Sequence, residues 1–204
     1  MMLDVSCRLI VIVGGGAVAA RKARGLLEAG ATRVHCIAPS FCDEMPGGIE
    51  CISESYRSAH LDGAGLVFAA TDQPEVNESV VCDAHARGVL VNRADADDDE
   101  PGDFSTPAKL QRGEVSVMVA AASPALAALV RDGIGARFDP RWERMADAMQ
   151  ELRPSIRRVV HDIRTRRQMF RDLASEEALR VLDATGIDGL RKWLSDRHPE
   201  WTHD

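Results

Sequence analysis

The amino-acid sequence predicts an α/β fold, a doubly wound parallel sheet followed by a helical C-terminal region. Two observations carry this. Through the first half of the chain, short runs of consecutive apolar residues rich in Val and Ile alternate with stretches of helical pattern. A strand apolar on both faces belongs to a sheet covered by helices on both sides. After Ala120 such runs stop, and helical patterns fill the remainder.

The elements follow in order. Leu9-Ile10-Val11-Ile12-Val13 is the first buried strand, and a glycine turn follows it at once. Ala17 to Ala29 reads as a helix that Gly30 ends. Val34 to Ile37 is the second strand, closed by Ala38-Pro39. Residues 9 to 38 thus form one β-α-β unit of the expected size of ~30 residues. Ile49 to Ile52 is a weak strand and Leu66 to Ala70 a strong one. Pro74 to Arg87 reads as a helix ended by Gly88, and Val89 to Val91 as a strand closing in Asn92. The acidic stretch Asp95 to Asp103, with Pro101 and Gly102, is a loop. Val115 to Ala120 is a further strand. Ser123-Pro124 has the form of a helix cap with proline in the first turn. Helices are predicted over Pro140–Leu152, Ser155–Leu173, Glu176–Ala184 and Ile187–Asp196, with breaks at Pro154, Ser175 and Gly186.

The chain has 204 residues, 45% of them hydrophobic and 28% charged, which is a globular composition with enough length for a core. Its net charge of -7 argues against nucleic acid as the main partner. No apolar run approaches the ~20 residues of a membrane span. The first residues run straight into a strand and show no signal-peptide pattern, so the expected compartment is the cytoplasm. The five cysteines lack C-x-x-C spacing and read as buried, reduced thiols. His60, His85 and His161 show no ligand spacing, so no metal site is expected.

The turn after the first strand is Gly14-x-Gly16-x-x-Ala19. In a strand-to-helix turn of this kind, the first glycine permits the tight bend and the second lets the backbone approach a pyrophosphate. The small third residue lets helix and strand pack closely. Backbone N–H groups at the helix start, those of Ala17 and Val18 among them, attract the phosphates. The reading is a Rossmann-type dinucleotide site; the alternative is a tight turn without a ligand. The acidic residue that often holds the ribose at the end of the second strand is missing, and Ala38, Pro39 and Ser40 stand there instead. With no arginine there for a 2′-phosphate, NAD is expected over NADP. Thr71 and Asp72 end a later strand and should face the cofactor, although Asp72 can equally be the N-cap of the following helix. Asn92 and Asp95 lie at the next strand end. A carboxylate there suits a proton acceptor beside a hydride acceptor; equally, Asp95 simply begins the acidic loop.

Taken together, these residues resemble a known family. Val-Gly-Gly-Gly-x-Val-Ala-x-Arg-Lys at 13–22 is followed by Ile37-Ala38-Pro39, then by Ala69-Ala70-Thr71-Asp72 with Asn77. Val91-Asn92-x-x-Asp95, Asp103-Phe104-x-x-Pro107-Ala108 and Ser123-Pro124-Ala125-Leu126-Ala127 come next. The order over about residues 9 to 140 resembles precorrin-2 dehydrogenase, the NAD-dependent module of siroheme synthase. The resemblance implies oxidation of precorrin-2 to sirohydrochlorin by NAD+, with Asp95 as the catalytic residue. It implies an NAD-binding domain over 1–112, a dimerisation segment over 113–145 that makes a homodimer, and a C-terminal helical domain over 146–204. The substrate carries many carboxylates, so Arg21 and Lys22 become substrate-binding candidates, against the reading of a solvated helix face.

One departure stands out. Members of the family usually carry a hydroxyl-bearing Ser/Thr-Gly-Gly stretch where this chain has Ala120-Ala121-Ala122. Some members also insert ferrous iron, and this departure puts that activity in question. Ser123 replaces the hydroxyl or serves only as a cap. The tail arginines Arg153, Arg157, Arg158, Arg164, Arg166, Arg167 and Arg171 either meet substrate carboxylates or form a solvated face. Two other functions stay open: a bifunctional dehydrogenase and ferrochelatase, and a non-catalytic NAD-binding partner subunit.

Overall fold

The computed structural model describes residues 3–94 and 102–201. The chain divides into two compact units, residues 1–106 and 107–204.

The first unit is a five-stranded parallel sheet. Its strands are β1 (Leu9–Val13), β2 (Arg33–Ile37), β3 (Glu50–Ile52), β4 (Ala64–Ala69) and β5 (Val91–Arg93), in the order β3-β2-β1-β4-β5. The chain winds outward from β1 to β3, then returns to the other side of β1 with β4 and β5. The order therefore reverses between β1 and β4, where ligands of such sheets bind beyond the strand carboxyl ends.

The continuous apolar run of β1 has the expected cause. Ile10 and Ile12 pack with Ala19, Ala23 and Leu26 of α1 (Ala17–Glu28). Leu9, Val11 and Val13 point to the other face and pack with Val80 and Ala84 of α2 (Pro74–Ala86). All five strand residues are buried. Alternate residues thus meet helices on opposite faces, which is the doubly wound arrangement. The last strand sits slightly later than the sequence suggests, at Val91–Arg93, because its backbone pairs with Val67–Ala69 of β4.

The second unit opens with an antiparallel hairpin, β6 (Ala108–Arg112) and β7 (Val115–Val119), turned at Gly113. The helix α3 (Pro124–Gly135) packs on it. Then follow α4 (Arg141–Val159), α5 (Ile163–Leu173) and α6 (Glu176–Arg197). Met145, Leu152, Ile156, Met169, Leu173, Leu179, Leu190, Leu194 and Trp201 form their common core.

The structure departs from the sequence pattern in three places. The strand β6 has no signature in the sequence, because Lys109, Gln111 and Arg112 are exposed and leave no apolar run. Pro154 does not break a helix: α4 runs through it. Interior proline costs about 3 kcal/mol, but Ala148, Leu152 and Ile156 continue one buried stripe across it. Each large side chain of that stripe contributes about 1.5–3 kcal/mol on burial. The break falls instead at Val160–Asp162, where the Asp162 carboxylate accepts the Thr165 N–H at 2.7 Å and caps α5. Gly186 does interrupt helical geometry, at φ 66°. The cysteines are free, but only Cys36 is buried; Cys7, Cys51 and Cys82 are exposed. Burial pushes the Cys36 thiol up to about 12, with Cys51 adding to the shift.

Candidate functional site

The glycine turn joins the carboxyl end of β1 to the start of α1. Gly14 has φ 140°, and a Cβ there would stand 2.2 Å from the Ala70 carbonyl oxygen. Its N–H donates to Ile37 O at 2.9 Å, which ties the turn to β2. Gly15 is equally constrained, since its Cβ would meet Ser40 O at 2.0 Å, while Cys42 N–H donates to Gly15 O at 2.8 Å. The pattern Gly14-x-Gly16 had treated this middle position as free. Two glycines therefore serve close backbone packing of β1 against the β2 and β4 strand ends.

Gly16 differs. Its φ of -87° is open to any residue, and a Cβ on it would meet nothing within 4 Å. Nothing in the chain's own packing requires glycine there. Gly16 is the N-cap of α1, without a side-chain cap and with no acidic residue in the first turn. Ala20 N–H is the first to bond within the helix, to Gly16 O. The N–H groups of Ala17, Val18 and Ala19 precede it and are the orphan donors of a helix start. Ala17 and Val18 are exposed, and Ala19 is fully buried against the sheet. An open space lined by uncapped helix N–H groups suits a phosphate. The residues present fit a dinucleotide.

Two further strand ends frame this crevice. At the end of β2, Ala38 is buried, and Pro39 and Ser40 are exposed. After β4, Thr71 is fixed by Asn77, which is fully buried on α2. The Thr71 N–H donates to Asn77 Oδ1 at 3.1 Å, and Asn77 Nδ2 donates to Thr71 O at 3.1 Å. The Thr71 hydroxyl lies 2.8 Å from Asn77 Oδ1. Asn77, which stands in the sequence motif beside Thr71 and Asp72, thus closes their loop. Asp72 is exposed and is not the cap of α2, whose N-cap is Gln73. That removes one of its two sequence readings.

The end of β5 is held from the other side. Asn92 is 4% exposed, and its Nδ2 donates to Phe104 O at 2.7 Å. Its Oδ1 is buried and has no hydrogen-bond partner among the described residues. A buried acceptor left bare is costly, which makes this atom a candidate acceptor for a ligand donor. Asp103 braces the same strand: its Oδ2 accepts the Val91 N–H at 2.9 Å, and its Oδ1 lies 3.2 Å from His85 Nε2. Phe104 packs edge-on against Phe68 at 5.5 Å. Asp95, the candidate proton acceptor, lies outside the described residues.

Arg21 is exposed on α1. Lys22 is turned inward: its Nζ donates to Thr106 Oγ1 at 2.6 Å and sits 5.5 Å from the centre of the Phe68 ring. Burial, with Arg21 beside it, lowers the Lys22 amine to about 8. Lys22 therefore pins the segment 102–106 to α1 and β4, a role that its place in a basic dipeptide did not announce. Ser123 belongs to the second unit, where its Oγ accepts the Leu126 N–H at 3.2 Å and caps α3. Among the described residues, no three His, Cys, Asp or Glu side chains converge as for a metal ion. Nor is any helix among them long and apolar enough to cross a membrane.

Comparison with known proteins agrees with this geometry. The family model NAD_binding_7, whose description is "Putative NAD(P)-binding", matches residues 1–108. A siroheme synthase of Tolumonas auensis is 32% identical over 196 residues, which is 93% of this chain and 41% of that protein. The siroheme synthase of Chromobacterium violaceum is 36% identical over 167 residues, 78% of this chain and 35% of the relative. The chain thus spans well under half the length of these relatives. The solved structure of "SirC, precorrin-2 dehydrogenase" superposes with a TM-score of 0.78 at 21% identity. That match covers 96% of this chain and 98% of the other, and it shows a shared fold.

Proposed function

The chain belongs to the NAD(P)-binding family NAD_binding_7, and from that premise we propose that it oxidises precorrin-2 to sirohydrochlorin with NAD+. The observation that carries the reading is the crevice at the sheet's reversal point. There the open Gly16 position and the uncapped start of α1 follow β1, and the bare Asn92 Oδ1 belongs to β5, on the far side of β4 in the same sheet. The collinear motifs, the siroheme synthase relatives and the fold shared with a precorrin-2 dehydrogenase support the substrate.

In this reading the N–H groups of Gly16, Ala17 and Val18 hold the pyrophosphate, and Ala38 and Pro39 lie along the ribose. Thr71, positioned by Asn77, and Asn92 bound the remainder of the cofactor. Asp72 belongs to the same edge. The preference for NAD over NADP rests on the absence of a cationic side chain at Ala38-Pro39-Ser40. When bound, NAD+ accepts a hydride. The macrocycle must also lose a proton, and the Asp95 carboxylate is the proposed acceptor. Arg21, Lys22 and Ser123 are proposed contacts for substrate carboxylates and hydroxyl acceptors, Lys22 in addition to its bond with Thr106. Ala120-Ala121-Ala122 offers no hydroxyl group, which favours dehydrogenation alone over added iron insertion.

A homodimer belongs to the same proposal. Exposed apolar side chains on β7 and α3 support it: Leu129 is 69% exposed and Met118 47%. These lie within the segment 113–145, for which a second copy is the proposed cover.

Asp95→Ala tests the chemistry. The variant should bind NAD+ as the parent does and lose turnover by about 100-fold or more. Unchanged turnover would place the base elsewhere.

A further inference from the structure

The second unit carries a group of charges that its own packing does not use. The segment 153–171 holds seven arginines and a single acid, Asp162, in a chain whose net charge is -7. That acid is engaged at the start of α5, where it accepts the Thr165 N–H and hydroxyl at 2.7 and 2.9 Å. Two of the seven arginines have structural tasks. Arg166 Nη1 donates to the carbonyls of Val160 and His161 at 2.8 and 2.9 Å and closes the α4–α5 junction. Arg153 stacks on the Phe170 ring at 5.1 Å.

Arg164, Arg167 and Arg171 do neither. They recur at helical spacing on one face of α5, while Met169 and Leu173 on the other side are buried in the core. All three are exposed and form no ion pair among the described residues. With Thr165 and Gln168 they line a cleft of about 470 Å³. That size falls in the range of roughly 300–1,000 Å³ usual for small-molecule sites. Like charges at this helical spacing repel one another modestly, and a bound anion relieves that repulsion.

From this arrangement we propose that the α5 cleft is a binding subsite for a small molecule bearing several carboxylates on one rigid scaffold. The inference rests on the tetrapyrrole reading above, and identifies the ligand's carboxylate fringe as what the cleft takes. Arg164 and Arg171 are separated by about 10 Å along the helix axis. One carboxylate or phosphate cannot engage groups so far apart, whereas a ring with several acidic side chains can. The planar, five-donor guanidinium pairs with carboxylate through two parallel hydrogen bonds, which lysine cannot match; all seven basic residues in the segment are arginine. A nucleic acid would call for an extended basic face on a basic protein, and this chain is acidic.

The test uses the full-length chain and uroporphyrin, a planar tetrapyrrole octacarboxylate, followed by fluorescence. Arg164→Gln, Arg167→Gln and Arg171→Gln are combined in one variant. Removal of three charge-assisted bonds should weaken uroporphyrin binding at least about tenfold and leave NAD+ binding unchanged. The octamethyl ester should not bind the parent protein, and inorganic phosphate should compete poorly with uroporphyrin. Because the arginines repel, the variant should melt no lower than the parent, which separates lost binding from lost folding. Equal uroporphyrin affinity in parent and variant would overturn the proposal. So would an equal loss in Arg157→Gln/Arg158→Gln, which removes charge outside the cleft, or preferential binding of a DNA duplex to α5. A variant that loses uroporphyrin binding in a protein inert toward precorrin-2 would uphold the subsite and refute the dehydrogenase reading. Full precorrin-2 turnover with an unchanged KM in the variant would do the reverse.

Discussion

The backbone of Gly14 lies so close to that of Ala70 that a Cβ on the glycine would stand 2.2 Å from the Ala70 carbonyl oxygen. This contact locks the turn after β1 to the end of β4 at the point where the sheet order reverses. Gly16, two residues on, faces open space. The two glycines therefore face different demands: packing requires glycine at Gly14 and not at Gly16, where the proposed reading places a ligand. Gly14→Ala should destabilise the protein by about 2–4 kcal/mol, since it combines backbone strain with a clash against fixed backbone. Gly16→Val should change stability by no more than about 1 kcal/mol while weakening NAD+ binding about tenfold or more by filling the phosphate space. Urea unfolding and NAD+ titration separate the two. Equal effects on both readouts for both variants would remove the distinction.

Asn77 makes a second prediction. Its side chain is fully buried and meets the Thr71 loop through both amide atoms. Asn77→Leu keeps the volume and leaves the Thr71 N–H and carbonyl without those partners. Stability should fall by about 1–3 kcal/mol. If Thr71 borders the cofactor, the KM for NAD+ should rise as well. A variant with lower stability and an unchanged KM would confine Asn77 to folding.

Lys22 gives a pH signature with a definite sign. Its amine is lowered from 10.5 to about 8 in the folded chain, first by burial and then by Arg21. Between those two values the unfolded chain binds more protons at this site than the folded one. Its contribution to stability therefore rises with pH across that window. Below about pH 8 both states are protonated and the contribution is flat. Lys22→Met should abolish this rise, measured as the difference in urea midpoint between parent and variant from pH 8 to 10.5. Parallel curves would show that Lys22 titrates normally.

Much of the first unit is legible in the sequence because its signals are local. The five consecutive apolar residues of β1, the glycine turn and the helix after it each follow from burial on both faces or from backbone geometry. The strand β6 was hidden because its residues are half exposed and mostly polar; only pairing with β7 makes it a strand. Pro154 misled for the opposite reason. A strong local signal was overridden by the buried stripe from Met145 to Ile156. In the candidate site, spacing points to Gly14, Gly16, Thr71 and Asn92. It does not point to Gly15, whose need arises from the Ser40 carbonyl, which is distant in sequence. The Lys22–Thr106 bond spans 84 residues and has no local signature.

The central claim is NAD-dependent oxidation of precorrin-2. Its most direct test is to mix the purified protein anaerobically with precorrin-2 and NAD+ and to follow NADH absorbance together with the sirohydrochlorin spectrum. The account predicts that both appear in step, one NADH for each sirohydrochlorin formed, and that neither appears without NAD+. A flat trace from protein that binds NAD+ and is given authentic precorrin-2 would contradict it.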